Sequence, residues 1–240
     1  MVPDPRAVMA AANNADLYEA VFSSWSLPYA RLPFAFVGRA NPPPYYSNMT
    51  ALRPNHHDKV IAELHLLSRS LPGALGLKDS FSEFDLARYG FQTLFEASWL
   101  WRAPSSTSVC LPPGWSRVAA PAELDLWEQA WKQAGSPTEA RVFRSPQSLQ
   151  NAAFFHRVTE GRVTGGCIAN RSSECVGVSN IFGDGAAEIL FEEATSTVAQ
   201  FGGGRPVVGY VANHWLNAAL RSGFEVTGNL RVLVAESPHF

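Results

Sequence analysis

The clearest periodicities lie in the second half of the chain. In 121–135, Leu124, Trp127 and Trp131 recur at helical spacing and Gly135 marks a stop, which predicts an amphipathic helix. Residues 151–170 carry β-branched and aromatic positions on both sides of Glu160-Gly161, the pattern of two strands joined by a turn. A third strand is predicted over 175–182. In 185–201, Ile189, Leu190 and Ala194 share one face of a helix, and Gly202, Gly203 and Gly204 end it. Residues 206–211 are almost wholly apolar and suit a strand in a sheet interior. A helix from residue 213, closed by Gly223, and a last strand over 225–234 complete the order β-α-β-β-β-α-β-α-β. That alternation predicts an α/β (α+β) fold with a mixed sheet and helices packed on it.

The first half is less regular. Residues 104–114 hold three prolines and four Ser/Thr and read as a linker or long loop. Before them the same plan recurs faintly. Ser47-Asn48 and Ser179-Asn180, 132 residues apart, both close strand-like runs ahead of helices. Further on, 73–101 lines up with 206–234 at a shift of 133, matching Gly76 with Gly209, Arg88 with Arg221, Gly90 with Gly223, Phe91 with Phe224 and Leu100 with Leu233. This predicts a partly duplicated half-domain, although a common supersecondary unit met twice would look the same. The division expected is 1–103, a linker at 104–114, and 115–240.

Composition narrows the classes. The 240 residues are 46% hydrophobic and 17% charged, which is globular, and the net charge of −2 comes without a basic run for nucleic acid or a lipid surface. The N-terminal segment carries Asp4 and Asp16 and no apolar stretch, so no secretory leader is expected, and no run nears the roughly 18 apolar residues of a membrane span. Cys110, Cys167 and Cys175 lack metal-ligand spacing and fit free thiols of a reducing cytoplasm. Cys167 and Cys175 are expected as small buried side chains, with a redox pair as the lesser alternative. His56-His57 has no companion ligands, so no metal is expected. Trp99 and Trp101 share a strand face and are expected to meet the other half of the molecule.

The ordered pair of segments 175–198 and 213–234 resembles the GNAT (GCN5-related N-acetyltransferase) superfamily: central strand, glycine turn and helix, then an apolar strand, a helix, Gly223-Phe224 and the final strand. The resemblance implies a mostly antiparallel sheet and an acyl-CoA-dependent N-acetyltransferase. It further implies acetyl-CoA as donor co-substrate and a small-molecule or peptide amine as acceptor, and it leaves room for a homodimer. By the same resemblance the strand end Ser179, Asn180, Ile181 and Phe182 would meet the pantetheine arm. Gly183, Gly185 and Ala186 would open a helix N-terminus to the pyrophosphate, whose charge needs oriented N–H donors. Asn213 would stand near the cofactor, with an N-cap role as its competing explanation.

The sequence also departs from the family. The turn is only Gly183-Asp184-Gly185, and no Lys or Arg lies between Cys175 and Gln200, whereas Asp184, Glu188, Glu192 and Glu193 do. Asp184 favours the helix start by about 0.3–1 kcal/mol and opposes a phosphate there. Relatives place a tyrosine shortly before Gly-Phe, where this chain has Ala219 and Leu220. His156 and Glu174 are the candidate bases. Arg53, His56, His57 and Lys59 form a rival anion site at a first-half helix start, for which an ordinary solvated cap, Asn55 with Asp58, is the structural alternative. A non-catalytic GNAT-like ligand-binding or interaction protein is the second functional reading.

Overall fold

Helix α1 (Pro5–Ser24) starts where the Asp4 carboxylate accepts the Arg6 N–H at 2.8 Å and Pro5 presets the first helical φ. After it come β1 (Tyr29–Arg31), β2 (Ala35–Gly38), β3 (Met49–Ala51), α2 (His57–Ser70), β4 (Leu75–Asp79) and β5 (Gln92–Arg102). The second half supplies β6 (Trp115–Arg117), α3 (Pro121–Gln133), β7 (Ala152–Thr159), β8 (Arg162–Arg171), β9 (Val176–Gly183), α4 (Ala187–Gly202), β10 (Val207–Val211), α5 (Asn213–Arg221) and β11 (Glu225–Ala235). This order from β6 onward is the predicted one. The computed structural model describes residues 3–104, 110–147, 149 and 151–240; most of the predicted linker, 105–109, lies outside them.

Among the described residues eleven strands form one sheet in the order β1-β2-β3-β4-β11-β5-β10-β9-β8-β7-β6. Only β3–β4 and β9–β10 pair in parallel, so the sheet is mixed and mostly antiparallel, as expected. Helices α2, α4 and α5 cover one face and α1 and α3 the other. On the α4/α5 face Leu190, Phe191, Ala194 and Val198 pack with Leu100, Val176, Val178 and Phe224. Beneath α3, Trp127 meets Phe154 and Phe182 edge-on, both at 5.1 Å between centroids, and donates to the Phe155 carbonyl at 2.9 Å. Cys167 and Cys175 are free and buried in clusters on opposite faces, which rules out a pair, and burial pushes the Cys175 thiol up to about 12.

The sheet centre is nearly symmetric. β5 sits between β10 and β11, and β11 sits between β5 and β4, so each half lends its last strand to the other. Leu75 pairs with Ala235 across β4–β11, and Val207 pairs with Arg102 across β10–β5. These are the same pairs under shifts of 132 for β4/β10 and 133 for β5/β11. Within β5–β11, Trp101 faces Glu225 and Gln92 faces Val234, so this ladder maps onto itself. The helix ends match too: Gly90 and Gly223, at φ 85° and 80°, donate to Ala87 and Leu220, while Phe91 and Phe224 donate to Leu86 and Ala219. Two details differ from the expectation. The register sets Gly76 opposite Val208 in the repeat, not Gly209. Also, Ser47-Asn48 precede β3, and Ser179-Asn180 lie inside β9 instead of ending it.

Candidate functional site

Strands β9 and β10 pair only through Val176–Val207 and Gly177–Val208 and then part. Tyr210 therefore has no partner on β9, whereas its repeat counterpart Lys78 is still paired with Thr50 across β3–β4. The gap lies at the C-terminal ends of adjacent parallel strands, where open α/β sheets hold ligands. A bulge shapes its β9 edge. Gly166 faces Phe182 and Ile168 faces Ser179, so Asn180 and Ile181 together oppose Cys167, and Asn180 takes a φ of 52°.

The helices that follow both strands start beside the gap. Their cap positions are Ala186 for α4 and Ala212 for α5, which offer no side-chain acceptor, so the first N–H groups of both are left for a ligand or solvent. Asn213 is thus the exposed first residue of α5 and not its cap. The acidic face of α4 is largely neutralised from elsewhere in the chain. Glu188 pairs with Arg221 at 2.9 Å, Glu192 with Arg102 at 3.8 Å and Glu193 with Arg157 at 2.9 Å. Arg157 also donates to the Asp184 carbonyl at 2.7 Å and the Thr164 carbonyl at 3.0 Å, tying the turn down. The Asp184 side chain is exposed.

The sequence-predicted residues separate into groups. Ser179 and Asn180 line a cleft on the α1 face; Ile181 packs toward α4; Phe182 is buried under α3. Gly183, Gly185 and Ala186 form the turn into α4. His156 is buried on β7 near α3, with Nδ1 unpartnered among the described residues. Burial lowers its pKa, and Glu123 only partly opposes that. Glu174 is exposed just before β9, about 15 Å from the gap at roughly 3.3 Å per residue. His156 pairs with Gly166, which in turn pairs with Phe182, so one strand separates it from the β9 end. In the first half the α2 cap position is His56 rather than Asn55, and the Glu83 carboxylate accepts the Asn55 N–H at 2.9 Å. Beside Arg53, His56, His57 and Lys59, the Glu83 carboxylate therefore caps the Asn55 N–H, and His57 Nε2 lies 3.1 Å from the Glu83 carbonyl.

The cleft on the α1 face, about 610 Å³, contains groups that the sequence reading missed. Tyr18, Tyr45, Tyr46 and Trp131 wall it, and both Ser47-Asn48 and Ser179-Asn180 line it. Its one charged lining residue is Lys78, only 2% exposed. The Lys78 ammonium donates to Asn14 Oδ1 at 2.8 Å and to the Tyr210 hydroxyl at 3.3 Å. It lies 4.3 Å from the Tyr210 ring centroid and 5.0 Å from that of Tyr18. Burial works against its charge, but the phenolic oxygens of Tyr18 and Tyr210 more than offset this, so its pKa is raised. The missed signal was a lone lysine in the apolar strand 75–79, at the repeat position of Tyr210.

No protein-family model matches the sequence, and no curated protein matches it. Solved structures do resemble it. A GCN5-related N-acetyltransferase from Kribbella flavida superposes with a TM-score of 0.64 at 14% identity, over 94% of this chain and 95% of that one. A protein assigned to the GNAT acetyltransferase family from Novosphingobium aromaticivorans gives 0.58 at 13% identity, over 92% and 97%. Saccharomyces cerevisiae N-myristoyltransferase, solved with myristoyl-CoA and inhibitors, gives 0.52 at 10% identity, over 74% of this chain and 55% of that one. These superpositions show that the chain has the fold of the GNAT superfamily.

Proposed function

We propose that the protein is an acyl-CoA-dependent N-acyltransferase with an amine acceptor. The observation that carries this is the gap between β9 and β10, flanked by two helix N-termini without side-chain caps. Those N–H groups fit the donor's pyrophosphate. The exposed Gly185 leaves open space where a side chain would crowd it, and Arg221 and Arg102 stand close by. The unpaired β9 edge at Ser179–Ile181 offers backbone groups to an extended amide arm, so the thioester would enter the gap from the α4/α5 face. The amine would approach from the cleft on the α1 face.

The transfer is a direct attack. The amine nitrogen bonds to the thioester carbon, the tetrahedral adduct collapses with loss of the C–S bond, and the amine proton leaves to solvent in the cleft. Tyr210, at the mouth of the gap, is the group that can protonate the departing thiolate in place of the absent helix tyrosine. A backbone N–H at the β9 bulge would stabilise the oxyanion.

Thermal unfolding with acetyl-CoA and with longer acyl-CoA donors, followed by thiol release over a panel of amines, tests this reading. A donor at about 100 times its dissociation constant adds roughly 2.7 kcal/mol, a rise of about 5–10 °C for a chain this size. Asp184→Lys should enlarge the rise and Lys59→Glu should leave it unchanged. A rise abolished by Lys59→Glu would move the donor to α2. No rise with any donor at millimolar concentration would leave only a GNAT-like binding protein.

A further inference from the structure

The cleft on the α1 face has an uneven composition. Aromatic and aliphatic side chains form its walls, among them Tyr45, Tyr46, Leu94, Phe95, Trp131 and Val232. Its polar lining is neutral apart from Lys78; no Asp, Glu, Arg or His lines it among the described residues. Lys78 is buried without a carboxylate, although a buried ammonium is costly unless paired. Asn14 and Tyr210 accept N–H bonds from it and the Tyr18 hydroxyl stands as a third partner, so every acceptor around the ammonium is neutral and none supplies the counter-charge that a carboxylate in the cleft would. Asn14 is held in place because its neighbour Asn13 is locked to Asn170 by bonds of 2.9–3.1 Å.

We propose that Lys78 binds a carboxylate of the substrate, and that the cleft takes an apolar or aromatic body carrying this carboxylate and not a polycationic amine. The proposal deepens the N-acyltransferase reading and rests on it for the identity of the reacting amine. An approaching ammonium would meet Lys78 with no acid to balance it, so a cationic side chain or polyamine is repelled. The same repulsion favours the neutral, nucleophilic form of the acceptor nitrogen once its carboxylate is on Lys78. The stacked and edge-on aromatic walls supply the nonpolar contact. The carboxylate can belong to the acceptor, as in an aromatic amino acid, or to the end of a dicarboxylic acyl group on the donor.

Calorimetric titration with 3-phenylpropanoate and 3-phenylpropanamide tests the site without any transfer. The carboxylate should bind about 10–100-fold more tightly than the amide, the range of a charge-assisted hydrogen bond. Lys78→Met should bring the ratio close to one, and Lys78→Arg should keep a preference. Should Lys78→Met fail to fold, the salt dependence of the wild-type ratio and the Lys78→Arg titration decide. Equal binding of the two probes by the wild-type protein, or a preference that Lys78→Met retains, would overturn the proposal. Two transfer assays then place the carboxylate: phenylalanine preferred over phenylalaninamide assigns it to the acceptor, and succinyl-CoA preferred over acetyl-CoA assigns it to the donor. A Lys78-dependent binding preference without transfer from any donor would uphold the site and remove the acyltransferase reading.

Discussion

At the scale of single residues, the site depends on side chains whose partners are far away in sequence. Tyr210 is unremarkable in its own strand; its meaning comes from losing its neighbour on β9 and gaining the Lys78 ammonium at 3.3 Å. As the acid for the leaving thiolate, it makes a sharp prediction. Tyr210→Phe should cut the transfer rate by about 10²–10⁴-fold while changing donor affinity little, measured by thiol release and by the thermal shift with donor. His156 makes the opposite kind of case, a titratable group outside the cleft. Burial holds its folded-state pKa below the ordinary value of 6.5, with Glu123 acting weakly against that. Both states are neutral well above pH 6.5. Below it the unfolded chain takes up a proton that the folded chain resists, so stability falls as the pH drops. His156→Gln should flatten the decline in urea midpoint between about pH 7.5 and 5 without abolishing transfer. A loss of transfer in that variant would return His156 to the chemistry.

Among the elements, legibility followed the size of the side chains. The helix at 121–135, the strand pair at 151–170 and the last four elements were readable because Trp, Phe, Leu and Ile mark their buried faces. Helix α1 escaped because alanines, Ala7, Ala10, Ala11 and Ala15, carry much of its buried face, and they give a weak hydrophobic signal while letting the helix lie close to the sheet. The arginine partners of α4 were equally invisible, since Arg102, Arg157 and Arg221 reach it from β5, β7 and α5. A sequence can show that 184–193 is acidic; only the fold shows what neutralises it. The seating of α1 yields its own prediction. Asn13 and Asn170 bond to each other directly over Gly177, and a methyl group there would collide with both amide oxygens. Gly177→Ala should destabilise the protein by about 1–3 kcal/mol, read as a lower urea midpoint. Because Asn14 holds Lys78, the same variant should weaken binding of 3-phenylpropanoate.

Over the whole molecule, an internal near-symmetry relates the sheet to the site. Two similar strand–helix–strand units each place their last strand against the other, so the near-twofold axis runs through the β5–β11 ladder and the cleft lies beside it. One copy kept its parallel pair closed through Thr50–Lys78, and there the lysine became part of the wall; the other opened, and there Tyr210 faces the gap. Symmetry-related positions thus carry different side chains, Lys78 and Tyr210, and the proposed roles of anchor and acid fall on the two of them. The repeat was legible in Gly90/Gly223 and Phe91/Phe224, where a left-handed glycine followed by a buried phenylalanine is needed to end the turn. The exchange was not legible, because a strand pattern does not name its partner. It also means that neither half owns a complete sheet. Without β4 and β5, a fragment of residues 110–240 would leave β10 with an open edge and β11 with no partner strand, and the apolar face of Val208 and Leu230 would lose Trp99. Such a fragment should show no cooperative thermal transition or should aggregate. Adding a fragment of residues 3–103 should restore one transition and the thermal shift with donor, since the missing strands β4 and β5 are then supplied in trans. If residues 110–240 alone melt cooperatively as a monomer, the exchanged strands add little to stability, and the second half carries its fold by itself.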